Sequence, residues 1–230
     1  MSDADLLLNP AWHALRGRQR TLGSQGASAA LYHRRISPFA ALSAEGSLDD
    51  LVDLVEPGQG VVFMASDSVE HRSGWKPVAE VSILQMICHE PQHADYEPVG
   101  RELGPGDVPA MLRLTKLTDP GPFLEGTIQM GRYLGVEESG ELIAMAGERF
   151  CLDGWTEISG VCTHPHAEGR GLAKALVAEL MRGIEAIGHT PFLHVRIGSP
   201  SEQAAVAAYE RLGFERHREI KAQVFVREQS

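Results

Sequence analysis

The spacing of apolar residues in the last third of the chain predicts an amphipathic helix. Leu172, Leu176 and Leu180 recur at helical intervals, so they fall on one face. The helix is expected to begin after Gly169 and to end near Gly188.

A second helix is marked by its start signal. Ser199, Pro200 and Glu202 have the spacing of a capping box with proline at the first helical position. We therefore predict a helix from this signal to about residue 212, and Gly213 fits the position just after its end.

Apolar segments bounded by turn residues predict strands around the first helix. Residues 128–136, 141–150 and 155–163 are joined by short turns, which favours an antiparallel meander. Residues 192–197 form a further apolar strand. Because this strand and residues 155–163 flank the helix, they are expected to be parallel neighbours.

The first hundred residues show a shorter pattern of helix and strand. Residues 11–15 look helical, and Ser47 is predicted to cap a helix over residues 47–56. Residues 61–65 and 77–88 read as strands joined by a polar loop. We expect these two strands to form a hairpin.

Proline and glycine are concentrated at residues 90–106, which predicts a boundary between a region of residues 1–100 and a domain of residues 101–230. Asp107 is predicted to cap a helix over residues 108–116. A final pair of strands is predicted at residues 214–215 and 222–226.

Charge and cysteine content narrow the possible functions. The chain has 230 residues and a formal net charge of -10, and both predicted regions are acidic, so nucleic acid is not an expected partner. Three cysteines do not form a disulfide framework. The acidic first residues lack the basic segment of a signal peptide, and no apolar run suits a membrane span, so we expect a cytoplasmic protein with no membrane partner.

The predicted strand 155–163 feeds a loop with Gly169 and Gly171, and the first helix follows at once. Such a turn leaves backbone N–H groups free to bind an anion such as phosphate. The loop lacks the Gly-Lys-Ser/Thr ending of a Walker A motif, and Lys174 replaces the third glycine of a dinucleotide fingerprint.

Two motifs in order resemble those of the GNAT acetyltransferase superfamily. Residues 161–173 resemble its acyl-CoA-binding motif, with Gly169 and Gly171 as the loop glycines and His166 where a basic or amide residue is usual. Residues 204–214 resemble its Tyr-Glu-Arg-Leu-Gly-Phe signature, but Glu202 or Gln203 stands where the family commonly has Asn.

The resemblance covers about residues 101–230. It implies the α+β fold of GNAT acyl-CoA N-acyltransferases, a mixed twisted sheet flanked by helices. Residues 1–100, with their helix-plus-hairpin pattern, resemble a reduced second GNAT lobe.

The resemblance also implies acetyl-CoA, or another acyl-CoA, as the co-substrate. Backbone N–H groups of the loop would hold its pyrophosphate, and the end of the strand would run beside the pantetheine arm. The implied cofactor-binding residues are Val161, Cys162, Thr163, His166, Glu168, Gly169, Arg170, Gly171, Leu172, Ala173 and Lys174.

Acyl transfer to an amine needs one group that accepts a proton and one that donates a proton. The resemblance suggests Tyr209 as the acid; the alternative is a tyrosine of the core. It suggests Glu157 as the base, directly or through water; the alternatives are a surface glutamate at this position, or Glu148 or Glu141 as the base. Period-two alternation would place Glu157, Ser159 and Val161 on the same face of the strand.

The expected activity is direct acetyl transfer to an amine of a small molecule or amino acid. A protein lysine or N-terminus as the acceptor, or a non-catalytic acyl-CoA sensor, remain alternatives, and a homodimer is left open. The run from Cys88 to His93 has metal-ligand residue types but no second cluster, so no metal is expected.

Overall fold

The computed structural model describes residues 3–229, so Met1 and Ser2 of the acidic N-terminal segment, and Ser230, lie outside the described residues. All the described strands belong to one mixed sheet of 11 strands with the order β1-β2-β3-β4-β11-β5-β10-β9-β8-β7-β6. This sheet, flanked by helices, confirms the predicted α+β class.

The strands, in chain order, are β1 Gly23–Gln25, β2 Ala29–Tyr32, β3 Phe39–Leu42, β4 Gly60–Ala65, β5 Trp75–Ile87, β6 Arg101–Glu102, β7 Tyr133–Glu138, β8 Glu141–Leu152, β9 Trp155–Thr163, β10 Thr190–Arg196 and β11 Glu215–Arg227. The helices are α1 Pro10–Arg16, α2 Val108–Thr118, α3 Leu172–Ala186 and α4 Glu202–Glu210. Among residues 3–229 no helix is both long enough and apolar enough to cross a membrane.

The second half of the chain follows the predicted pattern closely. Strands β7, β8 and β9 form the antiparallel meander, and β9 and β10 are parallel neighbours joined through α3. The apolar face of α3 is fully buried at Leu176, Leu180 and Ile184. Burial of this face against the sheet fixes the position of the loop that precedes α3.

Two predictions about strand pairing were wrong. β4 and β5 do not form a hairpin, because β11 lies between them and is antiparallel to both. The final strand pair is instead the single strand β11, with a bulge near Arg216 and Arg218. Residues 215–227 contain neither glycine nor proline, so the sequence offers no tight turn there.

The two halves of the sheet repeat one arrangement. β1, β2 and β3 are antiparallel and β3 is parallel to β4, as β7, β8 and β9 are antiparallel and β9 is parallel to β10. Each half is completed by a strand from the other, because β11 pairs with β4 and β5 pairs with β10. Hydrogen bonding therefore continues across the predicted boundary at residue 100, and independent domains on its two sides remain a prediction.

The sheet curls so that its concave face encloses a core. The rings of Phe39 on β3 and Phe150 on β8 lie 5.1 Å apart, although five strands separate β3 from β8 in the sheet. Helix α1 packs into this concave core through Ala11, Ala14 and Leu15. Helices α3 and α4 pack on the opposite, convex face.

The helix starts differ in detail from the predictions. The capping box of Ser47 and Asp50 is present, but it begins a short 3-10 turn, Leu48–Leu51. The carboxylate of Asp107 accepts from the backbone N–H of Gly104 and does not cap α2. The capping box predicted at Ser199 and Glu202 is not formed: α4 begins at Glu202, after an N-cap at Ser201, and the Glu202 carboxylate accepts from the backbone N–H of Gly198.

Candidate active site

A gap opens between β9 and β10 where their pairing ends. The parallel ladder joins Trp155–Ile158 to residues 190–193 and stops at the pair Ile158 and Leu193. Beyond this point β9 continues to Thr163, hydrogen-bonded to β8 on its other side. The edge of residues 159–163 that faces β10 is therefore free to pair with an extended ligand.

A bulge at Gly160 changes which side chains face each side of β9. Gly160 has φ 61°, a left-handed conformation that favours glycine. Ile158 and Val161 both pack toward α3, whereas Glu157 points into the concave face. The prediction that Glu157 and Val161 share a face was wrong, because the bulge interrupts the period of two.

The glycine loop lies at the end of β9 and at the start of α3. Gly169 and Gly171 have φ 76° and 79°, and a Cβ at either position would meet no atom within 4 Å. The first helical hydrogen bond runs from the N–H of Ala175 to the carbonyl oxygen of Gly171. The N–H groups of the preceding turn therefore remain open toward solvent, and the positive end of the helix favours an anion there.

The charged side chains of the loop have partners within the protein. Arg170 makes two hydrogen bonds of 3.0 Å to the carboxylate of Glu138, and the ammonium of Lys174 lies 5.9 Å from the ring centre of Tyr96. Either side chain would have to leave its partner to reach a phosphate. The rings of His164 and His166 lie 4.0 Å apart beside the loop and are tilted by 41°, and Glu168 is exposed.

Tyr209 and Cys162 approach the gap from different elements. Tyr209 on α4 is half-buried in the core under α3, and burial together with Cys162 raises its pKa to about 12. Cys162 is buried against α2, where loss of solvent raises its pKa to about 11 despite a hydrogen bond from Thr118.

Glu157 lies in a buried row of polar side chains, one on each of four neighbouring strands. Its carboxylate accepts hydrogen bonds of 2.8 and 2.5 Å from the Arg149 guanidinium and one of 2.6 Å from His194 Nδ1. The other ring nitrogen of His194 lies 3.0 Å from Gln85 Nε2, which also donates to the carbonyl oxygen of Leu7. The row crosses β8, β9, β10 and β5 beneath the N-terminal segment.

The charged neighbours of Glu157 keep its carboxylate ionised. Burial alone would raise its pKa, but Arg149 and His194 outweigh burial and lower it to about 2. Glu157 has no exposed surface, so the alternative of a surface glutamate is wrong. A carboxylate with both oxygens engaged and so low a pKa binds a proton weakly, so its role as the base remains a prediction.

Sequence reasoning missed the partners of Glu157. Arg149, next to Glu148, interrupts the apolar run of β8, and His194 interrupts that of β10. A charged or polar side chain inside such a run has to find a partner when it is buried. The sequence therefore indicates that Arg149 and His194 have polar partners. The sequence contains no signal that pairs them with Glu157, because the contact depends on the order of the strands.

The other predicted base candidates lie on β8, so β9 stands between them and the gap. Glu148 is half-buried and accepts from the backbone N–H of Arg132; burial raises its pKa. Glu141 is exposed, 4.0 Å from His164. Among residues 3–229 no three His, Cys, Asp or Glu side chains are placed to hold a metal ion; within the run from Cys88 to His93, His93 pairs instead with Glu185.

The chain is similar to known proteins in sequence and in fold. A family model described as FR47-like protein matches residues 133–226. A solved structure of a protein assigned to the GNAT family, from Novosphingobium aromaticivorans, is 32% identical with a TM-score of 0.89, and the match covers 97% of this chain and 99% of that one. No curated protein matches the chain.

More distant structures share the fold. A GCN5-related N-acetyltransferase from Kribbella flavida is 15% identical with a TM-score of 0.66, over 100% of this chain and 97% of that one. A GCN5-related N-acetyltransferase-like protein from Streptococcus suis is 17% identical with a TM-score of 0.57, over 94% and 92%. Both matches span nearly the whole chain, so the fold they share includes the strands of the first hundred residues.

Proposed function

Because the chain belongs to the GNAT family of acetyltransferases, we propose that it transfers an acetyl group from acetyl-CoA to an amine. The observation that carries the proposal is the gap between β9 and β10, with the Gly169–Gly171 loop at one end and Tyr209 beside it. The loop supplies an anion site, and the free edge of β9 supplies hydrogen-bonding groups for an extended arm.

The donor would be held mainly by the backbone. The N–H groups of Gly169, Gly171 and the first turn of α3 would bind the pyrophosphate, and residues 161–163 would lie along the pantetheine arm. Arg170 and Lys174 would add charge only after leaving Glu138 and Tyr96, so we assign them a smaller part. His166 and Glu168 would flank the loop.

In the proposed reaction the neutral amine attacks the thioester carbonyl carbon, and a C–N bond forms as the C–S bond breaks. The amine loses one proton and the departing sulfur gains one. Tyr209 would supply the proton to sulfur, since its raised pKa keeps the phenol protonated at neutral pH. No covalent bond to the enzyme is required.

We propose Glu157 as the group that accepts the proton of the amine. Glu157 and Tyr209 lie on opposite faces of the sheet with the gap between them, so an acid and a base could act from two sides. Because both oxygens of Glu157 are engaged, we propose that it acts through His194, whose Nδ1 it holds at 2.6 Å. The His194 side chain is also buried, and Gln85, 3.0 Å from Nε2, would have to move away before that nitrogen could take a proton. His194 is the first residue of β10 beyond the paired segment.

A small-molecule or amino-acid amine is the acceptor that we propose, reaching the gap from the side of residues 1–100. A protein lysine or N-terminus is the alternative acceptor. A non-catalytic acyl-CoA sensor would keep the glycine loop but would not depend on Tyr209.

The donor is tested by thermal-shift titration of the full chain with acetyl-CoA, ATP and NAD. A ligand that binds only the folded state raises the melting temperature with its concentration. We expect a rise with acetyl-CoA that is smaller, at the same ligand concentration, in the Gly171→Ala variant. A rise with ATP or NAD but none with acetyl-CoA would overturn the proposal.

A further inference from the structure

The first half of the sheet has its own gap, at the position that corresponds to the gap between β9 and β10. Parallel strands β3 and β4 pair only at Phe39 with Val62 and at Ala40 with Phe63. Beyond these pairs the two strands separate, as β9 and β10 do beyond Ile158 and Leu193. We call the opening between the ends of β3 and β4 the first-half cleft.

The first-half cleft is large enough for a small molecule. It has a volume of about 790 Å³, within the range of roughly 300–1,000 Å³ that is usual for ligand sites. Its walls come from the ends of β3 and β4, from the loops that follow them, and from α1. Four strand spacings, about 19 Å along the sheet, separate it from the gap between β9 and β10.

The chemistry of this cleft does not suit a second acyl-CoA. Instead of a glycine loop and a long helix, β3 leads to the 3-10 turn Leu48–Leu51. The N-terminal segment of the chain closes part of this cleft. Asn9 Nδ2 donates to the carbonyl oxygen of Leu42, and the backbone N–H of Ser66 donates to the carbonyl oxygen of Leu8. An extended arm would need those same backbone groups.

The charge of the lining points to a cation. The carboxylates of the lining are Asp5, Glu45, Asp67 and Glu70, and the one guanidinium among the lining residues, Arg72, is bound by Glu70 at 3.0 Å. His13 adds no charge near neutral pH, because burial lowers its pKa. Among residues 3–229, two further cations near the cleft have partners: Arg16 lies over Trp12 and donates to Ala27, and Lys221 pairs with Glu80.

The lining of the cleft mixes polar and apolar side chains. Its apolar members with exposed surface include half-buried Leu8, Trp12 and Leu42, whereas Phe63 and Met64 are almost wholly buried. An apolar body would be covered by these side chains, while an ammonium group would lie near the carboxylates of the rim, Glu45 and Asp67. We propose that the first-half cleft binds a small organic cation, an ammonium group on an apolar body, at a site separate from acyl transfer.

The test uses phenethylammonium chloride as the probe and 2-phenylethanol as its uncharged counterpart, titrated calorimetrically into the full chain. We expect the cation to bind at least about tenfold more tightly than the alcohol. In the double variant E45Q/D67N its affinity should fall about tenfold, because one exposed ion pair is worth up to about fivefold. The control D53N/E228Q removes the same charge from exposed positions outside the cleft and should bind like the wild type.

Fluorescence locates the bound probe. Trp75 and Trp155 are buried, so Trp12 is the tryptophan that a ligand in the cleft would contact, and the W12F variant should lose the fluorescence change while calorimetry still detects binding. No binding of the cation, equal binding of the alcohol, or equal losses in the two double variants would overturn the proposal.

A final comparison separates this site from the acceptor site. If acetylation of phenethylamine fell in E45Q/D67N in proportion to its affinity, the cleft would belong to the acceptor route and would not be a separate site. The binding measurements need no acetyl-CoA, so their failure would leave the proposed function untouched.

Discussion

His194 Nδ1 lies 2.6 Å from Glu157 Oε1 at the point where β9 and β10 cease to pair. The same carboxylate receives two hydrogen bonds from Arg149 on β8. The buried carboxylate of Glu157 thus links β8, β9 and β10 at the point where the gap of the proposed donor site begins. Loss of this charged contact should lower the free energy of unfolding.

Removing the charge of Glu157 alone should destabilise the protein strongly. In E157Q the Arg149 guanidinium would stay buried without its counter-charge, which typically costs about 3–5 kcal/mol. The double variant R149M/E157L replaces the pair with apolar side chains and should lose less. Urea unfolding of both variants checks this, and a double variant less stable than E157Q would contradict it.

Stability should also fall in acid because of Glu157. Its pKa is lowered from 4.5 to about 2 in the folded protein, so its contribution is present above about pH 4.5 and is lost as the pH falls toward 2. The free energy of unfolding, measured by urea titration from pH 6 to pH 2.5, should decline less steeply in R149M/E157L. Equal slopes would show that Glu157 is not held as an anion in this way.

The glycine loop can be tested with a matched control. Gly171→Ala and Gly154→Ala both place a side chain at positive φ, 79° and 77°, where neither meets a neighbour, so each should cost about 1–2 kcal/mol of stability. Only Gly171→Ala should weaken acetyl-CoA binding, by about tenfold or more, as hydrogen bonds to a charged phosphate are lost. Calorimetric titration distinguishes them, and equal affinities would argue against a phosphate site at this loop.

Each half of the sheet is completed by a strand from the other half, so we predict that the second half does not fold when the chain is divided. A fragment of residues 101–230 lacks β5, so β10 loses its antiparallel partner and the core under α3 loses Leu84 and Met86. We expect this fragment not to fold alone and to be rescued by co-expression with residues 1–100. Circular dichroism during heating checks this, and a cooperative transition of the isolated fragment would favour independent domains.

Local signals in the sequence predicted the second half well, because its contacts are mostly between neighbours in the chain. Short turns define the meander, and the spacing of Leu172, Leu176 and Leu180 defines α3. The position of Gly213 after α4 was also predicted, and its φ of 92° explains the glycine there.

No local sequence pattern indicates that β5 and β11 each pair with a strand from the other half of the chain. Both strands are 13 residues long, and each pairs with strands that are distant in sequence. Pairing between distant strands depends on the whole topology, so a hairpin was the natural but wrong expectation for β4 and β5. The row of Arg149, Glu157, His194 and Gln85 was missed for the same reason, since its members meet only when that strand order is known.

The central claim is acetyl transfer from acetyl-CoA with Tyr209 as the acid. Its most direct test is thiol release from acetyl-CoA with a panel of amines, measured for the wild type and Tyr209→Phe, with acetyl-CoA binding determined in parallel. We predict that the wild type releases thiol only when an accepted amine is present. The variant should bind acetyl-CoA normally but turn over about 10²-fold or more slowly, as expected when a positioned acid is lost. Equal rates in the two proteins, or no amine-dependent release by a wild type that binds acetyl-CoA, would contradict the claim.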